Sequence, residues 1–368
     1  MTKRVAFFCL GLCLLIAPIH AQTISPKSPF ICNVDFARFY FDQKSGYLEI
    51  YYGFYPDLLT YVVQDSTFLA GAKLITRLIE TDTQNMIVNE RSSYTIAKRD
   101  TNGAWYHHPV TTQKGYVLAF GDFRLQVIAI DSLAPSRRDS VNMRLTLAPT
   151  PESPAFSDIE LCKNITPSQN RHDLFYKNGM EVLPNPSLVF GAQNHPILFH
   201  YVEIYHLPLN KKMKIERALL DYAGNTLRKK SKEKRFQQRN IFDVDKFTVT
   251  SWPSGTYYLQ YTLKDRQGNA LARTRKKFYL YNPHLRAPHE AQDSLAIARL
   301  LRDLNALSGN ELDREFRRAQ YVATDQEIKM FAQLQSEQAK KEFLANFWIS
   351  VSRGRNDWLP IDRRQYLE

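Results

Sequence analysis

From Tyr47 to Phe54 the side chains alternate: Leu48, Ile50, Tyr52 and Phe54 take one face, and Tyr47, Glu49, Tyr51 and Gly53 the other. A period of two marks a half-buried strand. Shorter runs of the same kind recur at Asp35–Phe41, Gly115–Phe120, Arg124–Ile130 and Asn142–Leu147. Asp42–Gly46 and Asp100–Gly103 supply the turn residues that reversals need. Several short strands at this spacing predict a sandwich or barrel over residues 30–149. Residues 150–157, carrying Pro151 and Pro154, read as a stiff linker. A second β-domain is predicted over 158–282. Its clearest strand is Tyr257–Leu263, with Tyr257, Leu259, Tyr261 and Leu263 on one side. A turn at Trp252–Gly255 precedes it, and Asp265–Asn269 returns it towards Lys276–Tyr281 as a hairpin. Leu198–Leu207 and Lys214–Tyr222 are further strands, the latter entering the turn Ala223–Asn225. This is the grammar of an immunoglobulin-like sandwich without its cysteine pair.

After Pro283 and Pro288 the period changes. Glu290–Leu307 and Glu311–Tyr321 are rich in helix-forming Ala, Leu, Glu and Arg. Thr324 and Glu327 have the spacing of a capping box. Beyond Ser336, the residues Ala339, Phe343, Leu344, Phe347, Trp348 and Val351 form one helical stripe, read as a core face with partner docking as the alternative. The expected fold class is mainly β with a C-terminal α segment: two β-sandwich (immunoglobulin-like) domains, then a helical segment over 290–368.

Composition adds an export signal. Lys3 and Arg4 precede a 14-residue apolar run, Val5–Pro18, and then small Ala21. Positive, apolar and small regions in this order make residues 1–21 a signal peptide. The alternative is an uncleaved anchor, for which the run is short beside the ~20 residues a spanning helix needs. Export places the chain in the periplasm or outer cell envelope. Formal net charge is +12, of which Lys3 and Arg4 carry two. Such a surface favours anionic partners, and export argues against nucleic acid. The 22 Phe and 20 Tyr support a β-fold, because large rings pack well on a pleated surface. Of four cysteines, Cys9 and Cys13 lie in the signal. Cys32 and Cys162 can pair in an oxidising compartment; the other reading is two small buried hydrophobes.

Residues 321–348, YVATDQEIKMFAQLQSEQAKKEFLANFW, carry a resemblance. Tyr321, Ala323, Thr324, Glu327, Phe331, Leu334, Glu342, Phe343, Phe347 and Trp348 match the pattern that opens the GWxTD domain in a family of exported bacterial proteins of unassigned role. The aromatic β-regions DFARFYFDQKSGYLEIYYGF and WPSGTYYLQYTLKDRQGNALA also resemble that family. The name-giving Gly-Trp-x-Thr-Asp is absent, and Trp348 is followed by ISVSRGRNDWLPIDRRQYLE. The resemblance implies an exported protein whose helical segment begins an incomplete GWxTD-type domain.

Catalytic chemistry has little foothold. Phosphate-binding glycine motifs, G-x-S-x-G, H-E-x-x-H and C-x-x-C are all missing. His195, His200 and His206 cluster in sequence, but an extended strand sets the last two ~20 Å apart, too far for one metal. His107-His108, before Pro109, read as a loop or strand end. No catalytic, metal or cofactor residue is assigned, and no cofactor or enzymatic activity is expected. The distinctive polar feature is the segment 211–239, with eleven Lys and Arg against Glu216, Asp221 and Glu233. Lys211, Lys212, Lys214, Arg228, Lys229, Lys230, Lys232, Lys234 and Arg235 are its candidate anion- or partner-binding residues. Arg273, Arg275, Lys276 and Lys277 join them if the hairpins pair. The plain alternative is a solvated edge whose lysines discourage strand pairing. The expected function is a structural or protein-interaction module of the bacterial envelope with an envelope protein partner. The alternatives are binding of an anionic glycan or membrane surface through 211–239, and a hydrolase whose site lies in a missing C-terminal part.

Overall fold

The computed structural model describes residues 22–99, 103, 106, 108–192, 195–222, 224–283, 285, 293–352 and 361–367. The predicted signal peptide, most of the turn at 100–103, His107 and residues 353–360 lie outside them. The fold is mainly β with helices at the C-terminal end, as the periodicity predicts.

The first unit holds β1 (Gln22–Ile24), β2 (Cys32–Tyr40), β3 (Ser45–Phe54), β4 (Tyr61–Gln64), β5 (Thr67–Glu80), β6 (Met86–Lys98), β7 (Val110–Ala119), β8 (Gly121–Asp131) and β9 (Arg138–Leu147). Sheet one has the order β1-β4-β5-β8-β9, with β6 on the other side of β5; sheet two is β2-β3-β7. Leu48, Ile50, Tyr52 and Phe54 of β3 meet Leu74, Leu78, Leu125 and Val127 of sheet one in a common core.

The second unit holds β10 (Ala155–Phe156), β11 (Glu160–Pro167), β12 (Tyr176–Lys177), β13 (Met180–Pro184), β14 (Val189–Phe190), β15 (Ile197–Tyr205), β16 (Lys212–Leu220), β17 (Thr226–Arg235), β18 (Ile241–Thr248), β19 (Gly255–Lys264) and β20 (Ala270–Leu280). Sheet three runs β10-β15-β11-β13-β12 with β18 on the far side of β15; sheet four runs β14-β20-β19-β16-β17. Leu198, Val202, Ile204 and Phe247 of sheet three pack on Ile215, Leu219, Leu259 and Phe278 of sheet four. The predicted linker needs correction: β10 lies within it and pairs with Ile204 and Tyr205 of β15.

The two sandwiches are stacked through a third core. Alternation buries one face of β3 inside the first sandwich, yet Tyr51 on the opposite face is only 1% exposed. That face, with Ala37 and Phe39 of β2, packs against Cys162, Val182 and Tyr201 of sheet three. Sheets one to four therefore form successive layers. Tyr47 in this seam lies so close over Gly115 of β7 that a Cβ there would run into its hydroxyl. The proposed Cys32–Cys162 disulfide is not formed. Both thiols are free and buried, Cys32 in the first sandwich core and Cys162 in the seam. Alternation turns Cys32 inward from sheet two and Cys162 towards the seam, so β2 and β3 stand between them.

Charge is buried in the seam as well. Lys177 Nζ lies 2.5 Å from Glu49 Oε2 and 2.7 Å from Glu160 Oε2. It also sits over the Phe39 and Tyr201 rings, at 4.4 and 5.0 Å from their centroids. Tyr51 OH donates to Glu49 Oε2 at 2.7 Å. Lys177 is aimed by the two-residue turn Asn178-Gly179, whose φ values of +51° and +79° suit a type I′ hairpin. Arg38 adds a clamp at the seam's edge, holding both Asp158 oxygens at 2.7 and 2.9 Å. Lys276 of β20 reaches Asp35 of β2 at 2.6 Å.

Helices α1 (Asp293–Asn305), α2 (Gly309–Ala319), α3 (Asp325–Ala332), α4 (Glu337–Ser352) and α5 (Arg363–Leu367) close the fold. The predicted stripe on α4 is buried. It packs with Phe316, Phe331 and Leu312, and with Val189 and Tyr281 of the second sandwich. The Thr324–Glu327 capping box forms, and a second one forms at Ser308–Glu311. Buried Glu315 accepts from Trp348 Nε1 at 2.8 Å and from Arg363 Nε and Nη2 at 2.8 and 2.7 Å, tying α2, α4 and α5 together.

Two outcomes test the seam. Lys177→Met leaves two carboxyls buried without their counter-ion and should cost ~3–5 kcal/mol in urea unfolding; a loss below ~1 kcal/mol would place the seam's stability in its apolar contacts instead. Burial raises the Glu160 carboxyl to about 7, with Lys177 pulling it down and Glu49 pushing it up. Its folded pKa then exceeds its unfolded value, so the folded chain holds a proton that the unfolded chain has released. That contribution is fully present below about pH 4.5 and is lost as pH rises through about 7. Glu160→Gln should therefore flatten the fall in melting temperature between those two values. An unchanged slope would assign it to other groups.

Candidate functional site

The candidate surface is the outer face of sheet four. On β16, Met213, Ile215, Arg217 and Leu219 point into the sandwich, so Lys212, Lys214, Glu216, Ala218 and Leu220 point out. Register carries this face across the sheet. Lys229, Ser231, Glu233 and Arg235 of β17 lie opposite Ala218, Glu216, Lys214 and Lys212. Lys264, Thr262, Gln260 and Tyr258 of β19 lie opposite Lys214, Glu216, Ala218 and Leu220. On β20, Arg273, Arg275 and Lys277 pair with Thr262, Gln260 and Tyr258. Four hydrogen-bonded strands thus present Lys212, Lys214, Lys229, Arg235, Lys264, Arg273, Arg275 and Lys277 against two carboxylates, Glu216 and Glu233.

Those carboxylates are saturated. Lys229 and Lys264 both reach Glu216, at 3.4 and 3.3 Å, and Lys212 reaches Glu233 at 2.6 Å. Arg273, Arg275 and Lys277 have no carboxylate partner among the described residues. Arg275 lies over the Tyr258 ring at 4.4 Å and Lys277 near the Tyr279 ring at 5.3 Å, so the exposed cations rest on an aromatic support. The lysine neighbours hold the Glu216 carboxyl below the usual range despite its burial.

The sequence cluster 211–239 is therefore not one patch. Lys212, Lys214, Lys229 and Arg235 belong to the outer face. Arg228, Lys230, Lys232 and Lys234 sit opposite Leu219, Arg217, Ile215 and Met213, on the core side of β17, which is the sheet's edge. Lys211 precedes β16 and is exposed. Lys230 turns inward to Asp245 at 2.9 Å and lies 4.7 Å from the Phe247 ring centroid. Arg217 is buried and bound to Asp243, whose Oδ2 also accepts from Tyr261 OH at 3.2 Å. Of the basic residues on β20, Arg273, Arg275 and Lys277 join the outer face, whereas Lys276 is used against Asp35.

His195, His200 and His206 all lie among the described residues. His200 is fully buried, shares a 2.7 Å hydrogen bond with Tyr261 OH, and is held down at about 3 by burial. His206 lies just past the end of β15 with φ +53°, so it does not continue the face of His200. His195 is held down at about 4, by burial first and then by Lys163 and His108. Among the described residues no group of three or more His, Cys, Asp or Glu is placed to hold a metal ion, and no helix is long and apolar enough to cross a membrane.

No protein-family model matches the chain, and no curated protein matches it. Solved structures overlap it loosely. A red sea bream transglutaminase covers 70% of this chain at 8% identity, with a TM-score of 0.18. The tetra-tandem repeat in the extending region of a large adhesion protein covers 69% at 13% identity, with a TM-score of 0.19. A putative β-galactosidase from Bacteroides fragilis covers 66% at 8% identity, with a TM-score of 0.24. The chain spans only 32%, 50% and 33% of those three chains.

The core-side cations of β17 give a further test. Inward charges on an edge strand oppose pairing with another edge. Lys232→Val with Lys234→Val should produce concentration-dependent self-association in light scattering. A variant as monodisperse as the parent would show that edge protection lies elsewhere.

Proposed function

We propose that the protein is an exported structural or protein-interaction module of the bacterial envelope, and that it presents the outer face of sheet four to an acidic partner protein. One observation carries this reading: eight cations face two already-paired carboxylates across four strands. Interspersed Tyr258, Tyr279 and arginines suit a protein interface, where aromatic residues and Arg are enriched. The seam supports it too, because a preorganised surface loses little freedom on binding. The positive, apolar and small order of residues 1–21 supports export to the periplasm or outer envelope. The resemblance of 321–348 to the opening of a GWxTD domain supports the same compartment. The proposal assigns no catalytic role and no cofactor.

A photo-crosslinker placed at Arg273 in intact cell envelopes tests it. The expected result is one stoichiometric adduct with an acidic envelope protein, lost with Arg275→Glu and absent from a crosslinker at Arg91, which is exposed on β6 of sheet one. Recovery of the protein alone from a soluble periplasmic fraction would count against the module. Retention on anionic vesicles, abolished by Arg275→Glu, would replace the protein partner with a membrane surface.

A further inference from the structure

A cleft of about 600 Å³ opens where the two sandwiches meet α3. Its walls come from β2 and β9, from Pro186–Leu188 and β20, and from Asp325–Lys329. Junctions between rigid units are favoured places for small-molecule sites. Several of its polar groups are engaged. Asp35 holds Lys276 at 2.6 Å. Asp139 accepts from the Cys32 and Ser140 amides at 2.9 and 2.8 Å. Gln326 donates to the Ser187 carbonyl at 2.8 Å.

Asn33 is different. It is 2% exposed, and its Oδ1 has no hydrogen-bond donor among the described residues. Alternation along β2 sends Cys32 and Val34 into the first core and turns Asn33 towards the cleft. A buried amide oxygen without a donor bears its desolvation uncompensated, so the position calls for a donor from outside. Lys277 and Lys329, also on the wall, have no carboxylate partner among the described residues, and Tyr279 adds a ring. A desolvated acceptor, two cations and an aromatic wall complement a compact, hydroxyl-rich molecule with one negative charge.

We propose that this cleft binds a saccharide unit bearing a carboxylate, a hexuronate in size and charge. A sugar hydroxyl donates to Asn33 Oδ1, and Lys277 and Lys329 hold the carboxylate. The site shares Lys277 with the protein-docking surface, while Asn33 and Lys329 lie off that face. Arg275 lies two residues from Lys277 on β20, so a uronate polymer entering by its end would continue onto the outer face of sheet four.

Calorimetric titration of the full chain with glucuronate, glucose and a short oligoglucuronate tests this. Glucuronate should bind with a Kd of about 1 mM or tighter, and glucose about tenfold more weakly. Lys329→Gln should weaken glucuronate about tenfold and leave glucose and the melting temperature unchanged. Asn33→Leu should weaken both sugars; if it does not fold, Lys329→Gln carries the test. Tighter binding of the oligomer, reduced by Arg275→Gln, identifies a polymer end as the source, and equal binding identifies the free sugar. No heat from any of the three at about 10 mM, or glucuronate binding unchanged in Lys329→Gln, overturns the site.

Discussion

Lys177 is the residue on which the stacking of the chain turns. It stands between Glu49 of the first sandwich and Glu160 of the second, with Phe39 and Tyr201 beneath it. Burying charge is costly unless it is paired, and the Lys177–Glu49 pair forms only when sheets two and three are in contact. Two domains joined by a proline-bearing connection would otherwise be expected to move relative to each other. The apolar seam supplies attraction without direction, whereas the ion cluster fixes one register of sheet two against sheet three.

The seam also explains the composition. A sheet with one solvated face needs aromatic residues on alternate positions only. Sheets two and three are covered on both faces, so β3 carries Tyr47 and Tyr51 outward as well as Tyr52 and Phe54 inward. β15 does the same with Phe199 and Tyr201 against Leu198 and Val202. The helices cover only the β14–β20 end of sheet four's outer face, through Val189, Tyr279 and Tyr281, and the unpaired Lys and Arg accumulate on the part left open.

Much of this was legible. Strict alternation marked β3 and β19, and the helical stripe marked α4, because each has a strong apolar face in a single period. The hairpin of β5 and β6 was not. Thr67–Glu80 mixes Ala, Gly, Leu and Lys without clean alternation, and β6 is an edge strand with polar residues on both sides. Nor was the seam, although the Asn178-Gly179 pair that aims Lys177 is a strong hairpin signal in its own right. The basic run was visible at once, but its meaning depended on register. Consecutive residues on β17 face opposite ways, and the outer patch is completed by β19 and β20, dozens of residues downstream.

Strand register also distinguishes the two candidate surfaces. Lys276 and Lys277 are neighbours in sequence, yet one is spent on Asp35 at the junction and the other is left without a carboxylate at the rim. The first fixes β20 against β2 and so fixes the depth at which Asn33 sits. The second belongs at once to the cleft and to the outer face. A flexible linker between the sandwiches would let the cleft collapse and let Asn33 find a donor within the chain. The buried cluster at Lys177 prevents that, so the unsatisfied oxygen persists as a property of the stack rather than of the β2 strand alone.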